Sequence, residues 1–567
     1  GFEPLLRRSW ARLWSTLRAG VVVVTHGLGD ANRFGVMGAR LIHLGHGAPL
    51  KKMHLDSPVT TSVGGPAPLR ALLQRMYLSG TRQVTLYVAG SIDAAERLRS
   101  AYRVAPGKVR VLGDARDDEL AMQVQDPARA DEARAHVRRL LKLPAGSSGA
   151  GPPAAESLVL YAPTWRDGAE DPAVPSSVEI ERLSVMLAAH NARLVIRSHP
   201  LGTGAYAAVL GGEAPDPRVR LLGADLVRDI TPLLGAFDAV ITDYSSIAID
   251  FSLFGRPILW FAPDLAAYSA NRGLYEPLEV TAAGRVLADW RSVQDRLAQV
   301  LVPGSVARRN AEQDARALAA RFNAHPEGGS AARVLAEIRR LGRPIDERIA
   351  PGGVFFESFY GRQISCNPLA LDREIAACLP ELPRYWSVTS ERIAVPEGAT
   401  PVLVGGSDWF AARRQARLLV VNDWLRYGFA KRRGQLVLQT WHGTMLKHLA
   451  LGRPGVGWRT RIAIRRESRR WDLLLSQNPH SSEQFRSSYA FRGEILELGY
   501  PRDDRLARSL VAASGSLRME RIPVEIEAAR RALGVPAGSK VLGYVPTWRE
   551  GAASPGTGSG VVDLLDV

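Results

Sequence analysis

An internal repeat with a very long period constrains this chain more than anything else in it. Leu44-Gly-His46-Gly-Ala-Pro-Leu-Lys-Lys52 is answered by Thr440-Trp-His442-Gly-Thr-Met-Leu-Lys-His448. Leu112-Gly-Asp-Ala-Arg116-Asp-Asp118 is answered by Leu498-Gly-Tyr-Pro-Arg502-Asp-Asp504, and Tyr161-Ala-Pro-Thr-Trp165-Arg-Asp-Gly168 by Tyr544-Val-Pro-Thr-Trp548-Arg-Glu-Gly551. Solenoids repeat every 20–50 residues or so, whereas this spacing is about 390, so the expected fold is a duplicated two-part unit. The register makes both ends read as cut. Val354-Phe-Phe-Glu-Ser-Phe-Tyr-Gly361 opens the second copy and expects a counterpart before Gly1; counterparts of His199 and Asp243 are expected beyond Val567. Four segments follow: 1–143, 157–341, 353–515 and 530–567. The Gly/Ser/Pro/Ala-rich stretch Ala145–Ala155 separates the first two, and Arg343–Gly353 joins the copies.

Within 157–341, three apolar runs each end in polar residues. Val159–Ala162 leads to Pro163-Thr164-Trp165-Arg166, Leu194–Ile196 to Arg197-Ser198-His199-Pro200, and Ala239–Ile241 to Thr242-Asp243-Tyr244-Ser245-Ser246. Successive strands ending in such groups describe the carboxyl edge of a parallel sheet, where ligands of open α/β folds bind. After the third run an amphipathic helix is expected from about Ser245, with Thr242, Asp243, Ser245 and Ser246 as capping candidates. Free N–H groups and the positive helix end would suit a phosphate; an ordinary capped turn fits the spacing equally well. Nearer the start, Val21–Val24 and Arg40–Leu44 read as strands ending in Thr25-His26-Gly27 and Gly45-His46-Gly47. Glycines on both sides of His46 let the backbone turn sharply and leave the imidazole exposed. Asp117 and Asp118 can pair with Arg116 or cap a helix.

Taken together, Ala-Pro-Thr164-Trp165-Arg166-Asp, Arg197-Ser-His199-Pro and Thr242-Asp243-Tyr-Ser245-Ser246-Ile resemble the donor half of the CDP-glycerol glycerophosphotransferases, the polymerases of teichoic acids and related capsules. The resemblance implies an α/β fold of the GT-B arrangement: facing Rossmann-like halves with parallel sheets, duplicated, the second copy incomplete. Segments 1–143 and 353–515 become acceptor-side halves, 157–341 the half that binds a CDP-alditol, and 530–567 the start of a second such half. The implied reaction is phosphoryl transfer, in which an acceptor hydroxyl attacks the β-phosphorus and CMP leaves. His46, and His442 in the second copy, would take the acceptor proton, and Arg197 and His199 would stabilise charge. Thr164, Trp165, Arg166, Thr242, Asp243, Ser245, Ser246, Asp264 and Arg272 are the implied substrate-binding residues. No cofactor or metal ligand is expected. The second copy keeps the family's Trp-His-Gly-Thr at Trp441–Thr444, while the first departs at Gly45 and Ala48. Within these residues only the first copy carries the nucleotide-side groups, so one CDP-alditol per chain is expected.

Composition decides the partners. Lysine and arginine total 73 against 57 acids, a net charge of +16, with a pI near 10.1. So much positive charge favours a polyanion. No aromatic-interleaved basic run or zinc spacing points to nucleic acid, so CDP-glycerol or CDP-ribitol, a lipid-linked acceptor or polyol-phosphate polymer, and an anionic membrane surface are the expected partners. No run approaches the apolar length of a membrane span. Two cysteines, Cys366 and Cys378, fit a reducing compartment, so the expected location is cytoplasmic, on the inner face of the plasma membrane. Trp458–Trp471, with six arginines around Ile462 and Ile464, reads as a basic amphipathic helix for anionic headgroups or a polyphosphate, or as a solvated face. Residues 1–20, with Trp10 and Trp14, read as a scaffold helix in preference to a membrane-surface one. Two other readings stay open: a GT-B glycosyltransferase using a nucleotide sugar, and a copy degenerated to a docking scaffold.

Overall fold

Among the described residues, short runs of valine, leucine, isoleucine and aromatic residues form strands in three all-parallel sheets. Sheet A holds β1 (Val21–Val24), β2 (Arg40–His43), β3 (Val84–Ala89) and β4 (Val109–Val111) in that order. Sheet B is built from β5 (Ser157–Ala162), β6 (Ala192–Ile196), β7 (Val219–Leu221), β8 (Ala239–Thr242), β9 (Ile258–Phe261) and β10 (Val286–Leu287), ordered β7-β6-β5-β8-β9-β10. Sheet C contains β11 (Val354–Glu357), β12 (Arg384–Val388), β13 (Thr400–Leu403), β14 (Leu418–Val421), β15 (Leu436–Gln439), β16 (Leu473–Ser476) and β17 (Glu494–Glu497), ordered β13-β12-β11-β14-β15-β16-β17. Counted from its own first strand, sheet B runs 3-2-1-4-5-6, the doubly wound order, and sheet C extends the same order by one strand. The computed structural model describes residues 5–6, 9–32, 35–61, 67–143, 156–164, 166, 171–197, 203–210, 218–505, 507, 524–536 and 538–543. It divides into two units, Gly1–Gly499 and Tyr500–Val567. Among the described residues of the second unit are a short turn at Pro501–Asp503 and a helix at Val524–Ala532. Most of segment 530–567, with Trp548, lies outside the described residues.

The sheets match the sequence repeat. Strands β14–β17 answer β1–β4 in order and register, and β11–β13 extend sheet C beyond β14. On the corresponding side of β1, Val21 and Val23 are exposed, whereas Leu419 and Val420 of β14 are fully buried. The same contrast marks the preceding helices. Helix Trp10–Arg18 turns Trp10 and Trp14 to solvent, while helix Ser407–Gln415 buries Trp409 edge-on against Phe355 of β11.

Sheet B positions the site. Leu158, Leu160, Val195 and Val240 line one face and Val159, Tyr161, Leu194, Ile196 and Ile241 the other, all essentially inaccessible. That alternation is what a sheet covered on both sides requires. Packing crosses the expected segment boundaries twice. Helix Pro127–Leu140 buries Ala133 and Val137 on the Leu158 face, although it precedes the linker. Helix Ser330–Gly342 returns to sheet A, placing Val334, Ile338 and Leu341 against Ile42, Leu86 and Val88. Its first N–H groups, at Ser330 and Ala331, donate to Asp118, so Asp118 is a cap reached from far away in sequence. The expected amphipathic helix after β8 is instead the six-residue Ile247–Ser252, with Ala248, Ile249, Asp250, Phe251 and Ser252 all buried. Helix Val306–Phe322 packs over it, which leaves no solvent face for an amphipathic pattern. Among the described residues no helix is long and apolar enough to cross a membrane.

Candidate active site

The chain order of sheet B reverses between β5 and β8, which are neighbours in the sheet, and a crevice opens beyond their carboxyl ends. Thr164 follows β5; Asp243, Tyr244, Ser245 and Ser246 follow β8. Beneath this edge lies a closed charge network. Arg166 Nη1 donates to Asp243 Oδ2 (2.7 Å), and its Nε and Nη2 donate to the two oxygens of Asp264 (2.7 and 3.1 Å). Asp243 also accepts the N–H groups of Thr164 (3.0 Å) and Tyr244 (2.6 Å), and Tyr244 OH donates to Asp264 (3.0 Å). The guanidinium sits 5.3 Å from the Tyr244 and Tyr268 rings, which stack on each other. Burial works against the Arg166 charge, but the two carboxylates outweigh it and push its pKa up. These acids and this base satisfy one another, so their work is to fix the turn. Thr242, fully buried, donates Oγ1 to the Ala162 carbonyl and ties β8 to β5. Ser246 is the N-cap of the short helix but makes no capping bond; Ser245 Oγ instead accepts the Ile247 N–H at 3.4 Å.

Across the crevice, the turn after β2 brings up His46. Gly45 and Gly47 have φ of 76° and 129°, so the sharp turn read from the two glycines is present. A side chain on Gly47 would meet Arg116 Nη2 and Ser246 Oγ, each 2.6 Å from its Cβ, and this close approach brings His46 to the Ser245–Ser246 turn. The cleft between them, about 550 Å³, is lined by His46, Lys51, Thr164, Ser245, Ser246 and Arg272 among others. Residues of both halves expected in the site therefore meet in one cavity. Arg116 clamps them: Nη1 donates to the His46 carbonyl (3.2 Å) and Nη2 to Asp250 of the short helix (2.5 Å). Main-chain bonds from Lys52 N to Gly273 O (3.0 Å) and from Tyr275 N to Leu50 O (3.1 Å) clasp the two sides. The His46 ring is open to the cleft, yet the protein mass around it and the neighbouring His26 hold its pKa below the ordinary imidazole value. His26 lies flat on it, centroids 4.5 Å apart and planes 11° apart.

In the second repeat, His442 Nδ1 lies 2.9 Å from the Asn422 carbonyl, which requires the proton on Nδ1 and leaves Nε2 as the basic atom. Trp441, before it, holds φ of 53°, a left-handed conformation that costs a bulky residue about 1–2 kcal/mol. Gly45 takes the same region at the equivalent position without that strain, so the departure from Trp-His-Gly-Thr preserves the backbone path. Arg197 lies outside the cleft lining and donates to the carbonyls of Leu222 (3.2 Å) and Arg228 (3.3 Å). Trp165 and His199 fall outside the described residues. Sequence reasoning overlooked His26, Arg116, Lys51 and Tyr244. His26 was read only as a strand end; aligning Thr25-His26 with Asn422-Asp423 would have singled it out. A second cavity of about 500 Å³, at the joint of the two repeats, contains none of the expected site residues.

Comparison with known proteins finds the same repeat. The family model described as CDP-Glycerol:Poly(glycerophosphate) glycerophosphotransferase matches residues 1–340 and again 344–561. The chain is 36% identical over 205 residues to the teichoic acid poly(glycerol phosphate) polymerase of Bacillus subtilis (strain 168), covering 35% of this chain and 26% of that one. It is 34% identical over 214 residues to the teichoic acid glycerol-phosphate transferase of Staphylococcus aureus (strain NCTC 8325 / PS 47), covering 35% and 51%. These matches span between a quarter and a half of the relatives' own lengths. Among solved structures, the wall teichoic acid polymerase TagF, as a variant soaked with CDPG, aligns with a TM-score of 0.47 at 20% identity, covering 60% of this chain and 78% of that one. Two consecutive matches to one family model account for nearly all of the sequence, and the chain belongs to the CDP-glycerol:poly(glycerophosphate) glycerophosphotransferase family.

Proposed function

We propose that the chain transfers an alditol phosphate from a CDP-alditol, CDP-glycerol or CDP-ribitol, to a hydroxyl of a lipid-linked acceptor or growing polyol-phosphate chain. The observation that carries this reading is the single cleft in which His46 faces Ser245, Ser246, Thr164 and Arg272. The acceptor oxygen forms a bond to the phosphorus that bears the alditol. The bond from that phosphorus to the bridging oxygen breaks, and CMP leaves with the electron pair. His46, neutral because its pKa is lowered, takes the acceptor proton. Charge gathers on phosphate oxygens, so positioned cations and hydroxyl donors matter more than covalent chemistry. Arg272, Lys51 and the two serines supply them here, with His199 assigned the same task from its motif. Asp243, Arg166 and Asp264 act by holding the turn, and Thr242 by holding its strand.

The acceptor's lipid end calls for a surface, and helix Trp458–Ser468 offers one. Trp458 and Ile462 are exposed beside Arg459 and Arg466, in an open groove shared with Arg426 and Arg470. Apolar anchors ringed by arginines suit an anionic bilayer.

The test is CMP release and label transfer from labelled CDP-glycerol and CDP-ribitol to a lipid-linked acceptor, for the wild type and His46→Gln. Transfer should fall on the order of 10²-fold in the variant with donor affinity retained. Equal turnover by the variant sinks the assignment of the base, and no CMP from either donor sinks the reaction.

A further inference from the structure

The two repeats hold their histidines alike but flank them differently. Strands β1 and β14 end at Val24 and Val421. The next residues, Thr25 and Asn422, each present a backbone carbonyl to a histidine, His46 and His442 respectively. One residue further the chains diverge, with Asp423 in the second repeat and His26 in the first. Asp423 lies within electrostatic reach of His442, is hydrogen-bonded by Tyr360, and has the Arg426 guanidinium 3.8 Å above that tyrosine's ring. In the first repeat the carboxylate is displaced behind the ring. Asp30 accepts the N–H groups of Thr25 (2.9 Å) and His26 (2.7 Å), and lies 3.8 Å from His26 Nδ1. Among the described residues, the other charged and titratable groups around His46 are His43 below it, Lys51 on its own segment and Arg116 after β4, with Asp114, Asp117 and Asp250 beyond Arg116 and Lys52, His54 and Arg272 elsewhere in the cleft lining. No acid among the described residues touches His46 in the way a base–carboxylate pair would arrange it. A carboxylate beside an imidazole stabilises the imidazolium, whereas a second imidazole does not.

We propose that His26 is a positioning residue for His46, holding the ring by face-to-face stacking in the place where the second repeat puts a carboxylate. This rests on reading His46 as the base. The substitution exchanges an acidic partner for one that cannot attract a proton to His46. The first repeat's base therefore stays neutral to a lower pH than it would beside a carboxylate, and transfer by that cleft persists further into the acid range. Burial, His26, Arg116 and Lys51 all act in that direction, and the Thr25 carbonyl opposes them.

The experiment uses the full chain with histidine rings labelled at Cε1, comparing wild type, His26→Asp and His26→Phe by NMR titration, with His46→Gln assigning the His46 signal. His26 is two-thirds exposed, so its replacement opens no cavity. His26→Asp should make His46 roughly three- to tenfold easier to protonate, while His26→Phe, which keeps the stack without a titrating ring, should shift it less. The acidic limb of the pH–rate profile should move with the NMR titration. A purely structural role for His26 would lower the rate at every pH and leave both the limb and the titration in place. His46 titrating identically in wild type and His26→Asp overturns the proposal. A shifted titration with an unmoved limb supports the pairing and refutes His46 as the base, so the two readings fail separately.

Discussion

Replacing Arg166 tests whether the acids after β8 bind ligand or hold the turn. Arg166→Met keeps the length and apolar stem but removes the charge. It leaves Asp243 and Asp264 facing each other with no cation between them. The side chains concerned are 5%, 2% and 18% exposed for Arg166, Asp243 and Asp264, so water cannot replace the lost bonds. Asp243 would keep only the N–H groups of Thr164 and Tyr244. Removing one partner of a buried pair costs about 3–5 kcal/mol, mostly as the uncompensated charge left behind. The double variant Arg166→Met/Asp243→Asn should recover part of that, because the stranded charge is gone, giving a coupling energy above about 1 kcal/mol. Hydrogen exchange of peptides covering β5 and β8, followed across a denaturant series, reads this locally. The same variant should weaken CDP-glycerol binding by loosening Ser245 and Ser246. Exchange free energies within about 1 kcal/mol of wild type, or additive effects of the two substitutions, would refute the network argument.

Gly47→Ala should cost about 1–3 kcal/mol and lower nucleotide affinity, since its Cβ meets Ser246 and Arg116 and its φ is 129°; unchanged affinity in a calorimetric titration contradicts the close approach. Burial, then the neighbouring His46, hold the His43 pKa down to about 4. The unfolded chain therefore binds the extra proton first, and stability is full above about pH 6.5 and lost as pH falls toward 4, by up to about 3 kcal/mol. His43→Phe should flatten that acid dependence in chemical denaturation; an unchanged slope refutes the assignment. Binding to anionic vesicles should weaken as salt rises and fall again in Trp458→Ala, whereas salt-insensitive sedimentation with vesicles would count against helix Trp458–Ser468 as the contact.

Strand ends were the most legible part of the site. Val21–Val24 and Ala239–Ile241 stand where the apolar runs place them, and His46 and Ser246 meet because both follow strands at a carboxyl edge. What could not be read was which polar groups would use up one another. Arg166, Asp243 and Asp264 look alike as candidate ligands in sequence, but Arg166 lies 77 and 98 residues before its two acids and the three close on themselves. Ile247–Ser252 carries a helical pattern, yet its burial depends on helix Val306–Phe322, more than fifty residues later. Helices that cross between halves were missed for the same reason. The linker marks a change in composition, while Val137 and Val334 show where the chain packs.

The clasp between Leu50–Lys52 and Gly273–Tyr275 is made from main-chain atoms. These donors and acceptors do not depend on side-chain identity, so the clasp holds without Lys51 or Arg272; Tyr275 adds a side-chain tie of its own, its OH donating to Asp56 (3.0 Å). Lys51 and Arg272 stand beside the clasp and point their chemistry toward the cavity. Natural variation can therefore rewrite what the cavity prefers without loosening its frame. Proline at position 52 or 275 deletes a donor, and Gly273 is held by its φ of 75° and the Lys52 stem beside it, so these three sites should be where drift stops.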